Sequence, residues 1–135
     1  MNYQFDRNKV LAHLPLINEY INTSITQYPI TVELDLTNVC NHDCPGCTGF
    51  RQEGGLDSYI ETEDAKRILR EIYQCGSKAV TFTGGGDPTM HKDFDVLVKY
   101  ASELGLDVGL ITNGLSLKER HVSNIIPYCL WIRVS

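Results

Sequence analysis

Three cysteines fall within eight residues, in the run Cys40-Asn41-His42-Asp43-Cys44-Pro45-Gly46-Cys47. Thiolates are soft ligands, and three of them on one short loop can converge on a single metal centre. The count of three is informative. A structural zinc site closes a tetrahedron with four ligands, so zinc would have to recruit His42, His91 or Cys75 as well. A four-iron, four-sulfur cluster held by only three cysteines leaves one iron open to an outside ligand, which suits it to Lewis-acid and electron-transfer chemistry. The plain alternative, three small buried hydrophobes, does not suit this spacing on a loop. A second segment with chemical potential is Thr83-Gly84-Gly85-Gly86-Asp87-Pro88. Its glycines permit close backbone approach to a ligand, and Asp87 offers a carboxylate to an ammonium group. No Gly-Lys-Ser/Thr follows, which disfavours a phosphate loop and leaves a tight turn as the bland reading.

The elements that must position these segments repeat along the chain. β-rich runs cover residues 30–36, 78–83, 107–112 and 130–134, separated by amphipathic runs and glycine or proline stops. The first amphipathic run has Ala65, Ile68, Leu69 and Ile72 on one helix face, with Thr62 as its expected cap and Gly76 as its left-handed stop. The second carries Phe94, Leu97, Val98, Ala101 and Leu104 and stops at Gly105. The third opens on a Ser116-x-x-Glu119 capping box and ends before Pro127. Strands alternating with helices of this length predict parallel strands joined by right-handed crossovers. The fold class is therefore α/β, in the order βαβαβαβ.

Alternation inside the strands refines the prediction. Val32, Leu34 and Leu36 share one face, and Thr31, Glu33 and Asp35 the other. Val80 and Phe82 oppose Thr81 and Thr83, and Leu130, Ile132 and Val134 oppose Trp131 and Arg133. A doubly wound sheet buried on both faces would read as continuous apolar runs. Here one face is apolar, so helices are expected on that side and a polar cavity on the other, as in a barrel. Glu33, Asp35 and Arg133 are expected to point into that cavity, to bind substrate or, more plainly, to form an internal ion pair. Residues 1–29 are read as a helical extension of two short helices, with Pro15 opening the second, packed as a layer before residues 30–135.

The chain has 135 residues, the size of one domain, with 42% hydrophobic and 21% charged residues, which places it among ordinary globular proteins. No apolar run is long enough to span a membrane, and the opening Met1-Asn2-Tyr3-Gln4-Phe5-Asp6 does not read as a signal peptide. Its net charge of −5 argues against a broad nucleic-acid surface. Five cysteines, an odd count with three clustered, fit a reducing, cytoplasmic setting better than a secreted disulfide scaffold.

The cysteine run after the first strand, with the glycine run after the second, resembles the radical S-adenosylmethionine (radical SAM) enzymes. Thr112-Asn113-Gly114 after the third strand and Arg133-Val134-Ser135 in the fourth extend the likeness over residues 30–135. The resemblance implies a partial parallel (β/α) barrel whose site lies at the carboxyl ends of the strands. It implies that Cys40, Cys44 and Cys47 hold three irons of a 4Fe-4S cluster, and that the fourth iron takes the amino and carboxylate groups of S-adenosyl-L-methionine. Gly85, Gly86 and Asp87 would lie along the methionine, with Asp87 accepting from its ammonium. The backbone around Gly46 would face the adenine, and Asn113 or Ser135 would reach the ribose or carboxylate. An electron from a reductant such as flavodoxin or ferredoxin would cleave the sulfonium, giving a 5′-deoxyadenosyl radical that takes hydrogen from a peptide or small-molecule substrate. Two positions depart from the family pattern: Gly46 stands where an aromatic residue is common, and Asp87 where glutamate is usual. The family barrel has more strands than the four read here, so the expectation is an N-terminal part of a longer protein, or a barrel completed by another chain. A zinc-binding module and a cluster-binding relative without catalysis are the rival readings.

Among lesser residues, His42 reads as loop-bonded and His91 as structural. Cys75 and Cys129 read as buried small residues. Thr37 and Asn38 are expected to shape the turn into the cysteine loop through side-chain-to-backbone bonds. Residues 48–60 form a long loop beside it, of a length that is often functional.

Overall fold

Four strands of matching register form a single parallel sheet in the order β1 (Thr31–Asp35), β2 (Ala79–Thr83), β3 (Asp107–Thr112), β4 (Trp131–Val134). The computed structural model describes residues 9–24, 28–47 and 57–135. Each strand lies beside its predecessor in sequence, so the crossovers all advance in one direction. Right-handed crossovers that never reverse put every connecting helix on the same face, as in a barrel, whereas a doubly wound sheet reverses once.

The connecting helices are α2 (Thr62–Gln74), α3 (Phe94–Glu103) and α4 (Glu119–Ile125), preceded in the chain by α1 (Leu14–Thr23). The core is the layer between them and the apolar sheet face. Leu34, Val80, Phe82, Val108 and Leu110 face Ala65 and Leu69 of α2, Phe94, Leu97, Val98 and Ala101 of α3, and Ile125 of α4. Phe82 and Phe94 meet edge to face at 5.6 Å, the preferred geometry for two aromatic quadrupoles. On the other face the row Asp35, Thr83, Ile111, Arg133 runs across the sheet, and its two charged ends are exposed. Among the described residues Arg133 pairs with neither Glu33 nor Asp35; the ion pairs lie on α2, on α3 and between Lys92 and Glu61.

Several local expectations need correction. Thr62 is the first residue of α2 rather than its cap, and its hydroxyl donates instead to the Asp93 carboxylate. Helix α4 starts at Glu119, not Ser116, because the Ser116 hydroxyl is held by Asn41 (2.7 Å) and the His121 ring lies 2.7 Å from the Ser116 carbonyl. Cys75 is exposed, since it caps α2 on the solvent side; Cys129 is half-buried. The break at Pro15 falls as expected, with a 3₁₀ turn over Lys9–His13 leading into α1. α1 contributes no buried residue, and residues 1–8 and 25–27 of the expected extension lie outside the described residues. Gly76 and Gly105 end α2 and α3 with positive φ values of 93° and 96°.

Candidate cluster loop and cofactor edge

In a parallel sheet every strand ends at the same edge. That edge gathers the cysteine loop after β1, the glycine turn after β2, Asn113 after β3 and Ser135 after β4. The cysteine loop leaves β1 through a clamp built from its own polar side chains. Thr37 donates its hydroxyl to Ser58 O (2.7 Å) and accepts from Val39 N (3.0 Å), while Asn38 Oδ1 accepts from Ser58 N (2.7 Å). A short antiparallel bridge, Thr37 to Tyr59, closes it. Thr37 and Asn38 thus shape the turn as their types predict. Of the long loop that follows, residues 48–56 lie outside the described residues.

The glycine turn is zipped onto this clamp. Gly86 N donates to Thr37 O (3.0 Å) and Asp87 N to Val39 O (2.9 Å). A Cβ on Gly86 would sit 2.1 Å from Val39 O and 2.6 Å from Asn38 C, so only glycine admits this approach of two backbones. On the other side of the turn, Asp35 Oδ2 accepts from Gly85 N at 3.2 Å.

Asp87 is turned into the protein, with 3% of its surface exposed. Its carboxylate accepts from Thr89 N (3.0 Å) and the Thr89 hydroxyl, from the Thr112 hydroxyl (2.8 Å) and from Asn113 N (2.7 Å). The contact with Thr89 caps the 3₁₀ turn Pro88–Met90. The ammonium contact expected of Asp87 therefore meets a carboxylate already engaged on both oxygens. Asn113 in turn spans to the cysteine loop: its amide donates to Asn41 Oδ1 (2.8 Å) and lies 3.6 Å from Cys40 Sγ, while its Oδ1 accepts from Leu115 N (2.8 Å). Ser116, read from sequence only as a helix cap, accepts from Asn41 and reaches Met90 Sδ at 3.6 Å. The Thr112 hydroxyl and Ser116 join this network in ways the sequence reading, which places Thr112 only within the Thr112-Asn113-Gly114 run and Ser116 only as a cap, does not foresee. The Asp87-Pro88-Thr89 run, an acceptor before a helix-starting proline, was the available signal for the inward turn of Asp87.

The three thiols differ in setting. Cys40 is half-buried beside Asn113, whereas Cys44 and Cys47 are exposed on a turn closed by Cys47 N to Cys44 O (3.1 Å). Gly46 lies in that turn at φ 74°, with open space where a Cβ would stand. None of the cysteines forms a disulfide. Among the described residues, no three His, Cys, Asp or Glu side chains are gathered tightly enough to hold a metal ion. The donor set nonetheless fits an iron–sulfur cluster in kind, with three soft ligands on one largely exposed loop.

The extra ligands that zinc would need are mostly placed elsewhere. His91 is buried with both ring nitrogens engaged, by Ile60 O (2.8 Å) and Asp93 N (3.2 Å). Cys75 ends α2 and so lies at the opposite edge of the sheet, where β2 begins. Only His42 remains near, its Nδ1 3.3 Å from Cys44 Sγ. Cys129, just before β4, is also remote; burial pushes its thiol from the ordinary 9.0 up to about 11.

Comparison with known proteins agrees with this edge. The model of the Radical SAM superfamily matches residues 34–135. The PqqA peptide cyclase of Bradyrhizobium diazoefficiens is 34% identical over 97 residues, which cover 72% of this chain and 25% of that protein. The chain spans about a quarter of the length of the curated relatives it matches. Among solved structures, BtrN in complex with AdoMet and 2-DOIA aligns with a TM-score of 0.69 at 16% identity, over 82% of this chain and 46% of that one. SuiB of Streptococcus suis bound to S-adenosylmethionine aligns with a TM-score of 0.64 at 22% identity, over 91% and 26%. At these identities the likeness speaks to the fold. The family match opens inside β1 and takes in the cysteine loop, the glycine turn and the Asn113 loop, and on it the chain belongs to the radical SAM superfamily.

Proposed function

We propose that residues 30–135 are the N-terminal part of the core of a radical SAM enzyme, with Cys40, Cys44 and Cys47 as ligands to three irons of a 4Fe-4S cluster. The observation that carries this reading is the backbone zip between the cysteine loop and the glycine turn, Gly86 N to Thr37 O and Asp87 N to Val39 O. It fixes a thiol-bearing loop beside a side-chain-free turn, which is what a cluster with an open iron and a cofactor bound across it require. A cluster held by Cys40, Cys44 and Cys47 would, once reduced by a one-electron donor, supply radical chemistry on bound S-adenosyl-L-methionine for hydrogen abstraction from a substrate.

This chain's own groups have simpler tasks. Gly85, beside the Gly86 that packs on the cysteine loop, would lie along the methionine part, and the open space at Gly46 would admit the adenine. Ser135, exposed at the end of β4, offers a hydroxyl to the ribose or carboxylate. Glu33, Asp35 and Arg133 stand exposed on the helix-free sheet face, where a substrate would lie. A peptide substrate is supported by the PqqA peptide cyclase relative and by the SuiB structure bound to precursor peptide SuiA; BtrN, solved with 2-DOIA, keeps a small molecule open. A one-electron donor such as flavodoxin or ferredoxin is the implied partner. No helix among the described residues is long and apolar enough to cross a membrane, and the clustered thiols favour a reducing, cytoplasmic setting.

The test is anaerobic reconstitution with iron and sulfide, with both counted per chain, then electron paramagnetic resonance of the reduced protein with and without S-adenosylmethionine. A four-iron signal that shifts on adding the cofactor is expected. Zinc retained with no cluster overturns the reading in favour of a structural module, with His42 as the nearby fourth ligand. A cluster signal indifferent to the cofactor leaves the ligand assignment and removes the enzymatic one.

A further inference from the structure

The buried Asp87 carboxylate has a role that an ammonium ligand could not fill. A carboxylate presents about four lone-pair sites. Here four donors meet it: Thr89 N–H, the Thr89 hydroxyl, the Thr112 hydroxyl and Asn113 N–H. The Thr112 hydroxyl also accepts from Gly114 N (3.1 Å), so its single proton is committed to Asp87. Two of the donors come from the 3₁₀ turn after β2 and two from the end of β3. What the carboxylate does is lock the backbone at Thr112–Asn113 against the turn after β2.

That lock has a direction. With its backbone held by Asp87 and its Oδ1 held by Leu115 N, Asn113 has one orientation left for its amide: toward Asn41 Oδ1 (2.8 Å) and Cys40 Sγ (3.6 Å). Asn41 is itself fixed by Ser116. A hydrogen bond to a ligand sulfur stabilises the more negative, reduced form of an iron–sulfur centre and so raises its reduction potential. We infer that Asp87 is a positioning residue that aims the Asn113 amide at Cys40, so that Asn113 tunes the potential of the centre Cys40 binds. The inference rests on the proposed cluster for its consequence, and on this chain's hydrogen bonds alone for its mechanism.

Two variants test it, Asp87→Asn and Asn113→Ala, each read in two ways. In the metal-free chain, amide hydrogen exchange at Asn113 is expected to quicken about tenfold in Asp87→Asn, as one buried charge-assisted bond is lost. In the reconstituted chain, redox titration is expected to give a lower midpoint potential for Asn113→Ala, which removes the amide near Cys40 Sγ without changing the charge. In Asp87→Asn the lost charge raises the potential while the displaced amide lowers it, so its potential is expected to lie above that of Asn113→Ala. Parent-like exchange protection of Asn113 in Asp87→Asn overturns the positioning role, and an unchanged potential in Asn113→Ala overturns the bond to sulfur. If the parent chain assembles no cluster, it is the proposed function that fails. The exchange comparison still decides the lock in that case: parent-like protection of Asn113 in Asp87→Asn overturns it, and lost protection upholds it.

Discussion

The carbonyl oxygen of Val39 accepts the N–H of Asp87 at 2.9 Å and lies 2.1 Å from the point where a Cβ of Gly86 would stand. One backbone atom of the cysteine loop thus both anchors the glycine turn and forbids it a side chain. Gly86→Ala must push the two segments apart. A loss of about 2 kcal/mol in urea unfolding is expected, in the range for overpacking a fixed site, together with reduced iron uptake on reconstitution. Parent-like stability and iron content in this variant would mean that the two backbones are not held together.

Cysteines at the two edges of the sheet should separate cleanly in function. Cys44→Ala is expected to abolish four-iron assembly, read as iron and sulfide per chain and as visible absorption. Cys75→Ala, at the far end of α2, is expected to retain both. Full assembly in the Cys44 variant would remove the ligand assignment, and loss in the Cys75 variant would show a ligand drawn from the wrong edge.

Much of this arrangement was legible in the sequence, and the limits have physical causes. The alternation of Val80 and Phe82 with Thr81 and Thr83 predicts which sheet face the helices cover, because side chains on a strand alternate with a period of two. The stops at Gly76 and Gly105 read correctly because a positive φ is a local property of the residue. The type and neighbourhood of Asp87 predict an acceptor but not its direction, which is set by Thr112 and Asn113, 25 and 26 residues away. Ser116 looked like a helix cap until Asn41, 75 residues earlier, took its hydroxyl. Spacing shows what a side chain can do locally; distant partners decide which option is used.

Cys129 supplies a pH-dependent prediction. Burial raises its thiol from 9.0 to about 11, so the folded form stays neutral where the unfolded form ionises. Its contribution to stability is complete below the unfolded value and is lost as pH climbs from about 9 toward 11. Unfolding midpoints followed across that window should decline, and the decline should be shallower in Cys129→Ala. At pH 8, iodoacetamide and mass spectrometry should find the exposed Cys75 modified well before Cys129. Equal rates at the two thiols would contradict the burial.

Thr112 is the hinge of the polar network, 2% exposed and bonded both to Asp87 and to Gly114 N. Thr112→Val keeps the shape and removes the hydroxyl, leaving Asp87 one donor short and Gly114 N without its acceptor. A cost of about 2 kcal/mol is expected, as for buried polar groups stripped of a partner, measurable by urea denaturation. Thr112→Ser retains the hydroxyl and should recover most of it; no recovery would assign the loss to the missing methyl rather than the bond.

Asp35 holds the glycine turn from the opposite side. Its Oδ2 accepts from Gly85 N at 3.2 Å, and its Cγ lies 3.1 Å from where Gly84 would carry a Cβ. The side chain is exposed, so its removal should disturb folding little while freeing the turn to move. Under the proposed function, Asp35→Ala is expected to assemble its cluster normally and to bind S-adenosylmethionine about fivefold more weakly, the equivalent of one modest hydrogen bond. The measurement is a titration of the cofactor against the shift of the cluster's paramagnetic signal. Unchanged affinity would show that the turn holds its shape through Thr37 and Val39 alone, and loss of the cluster itself would place Asp35 among the residues that support the cysteine loop.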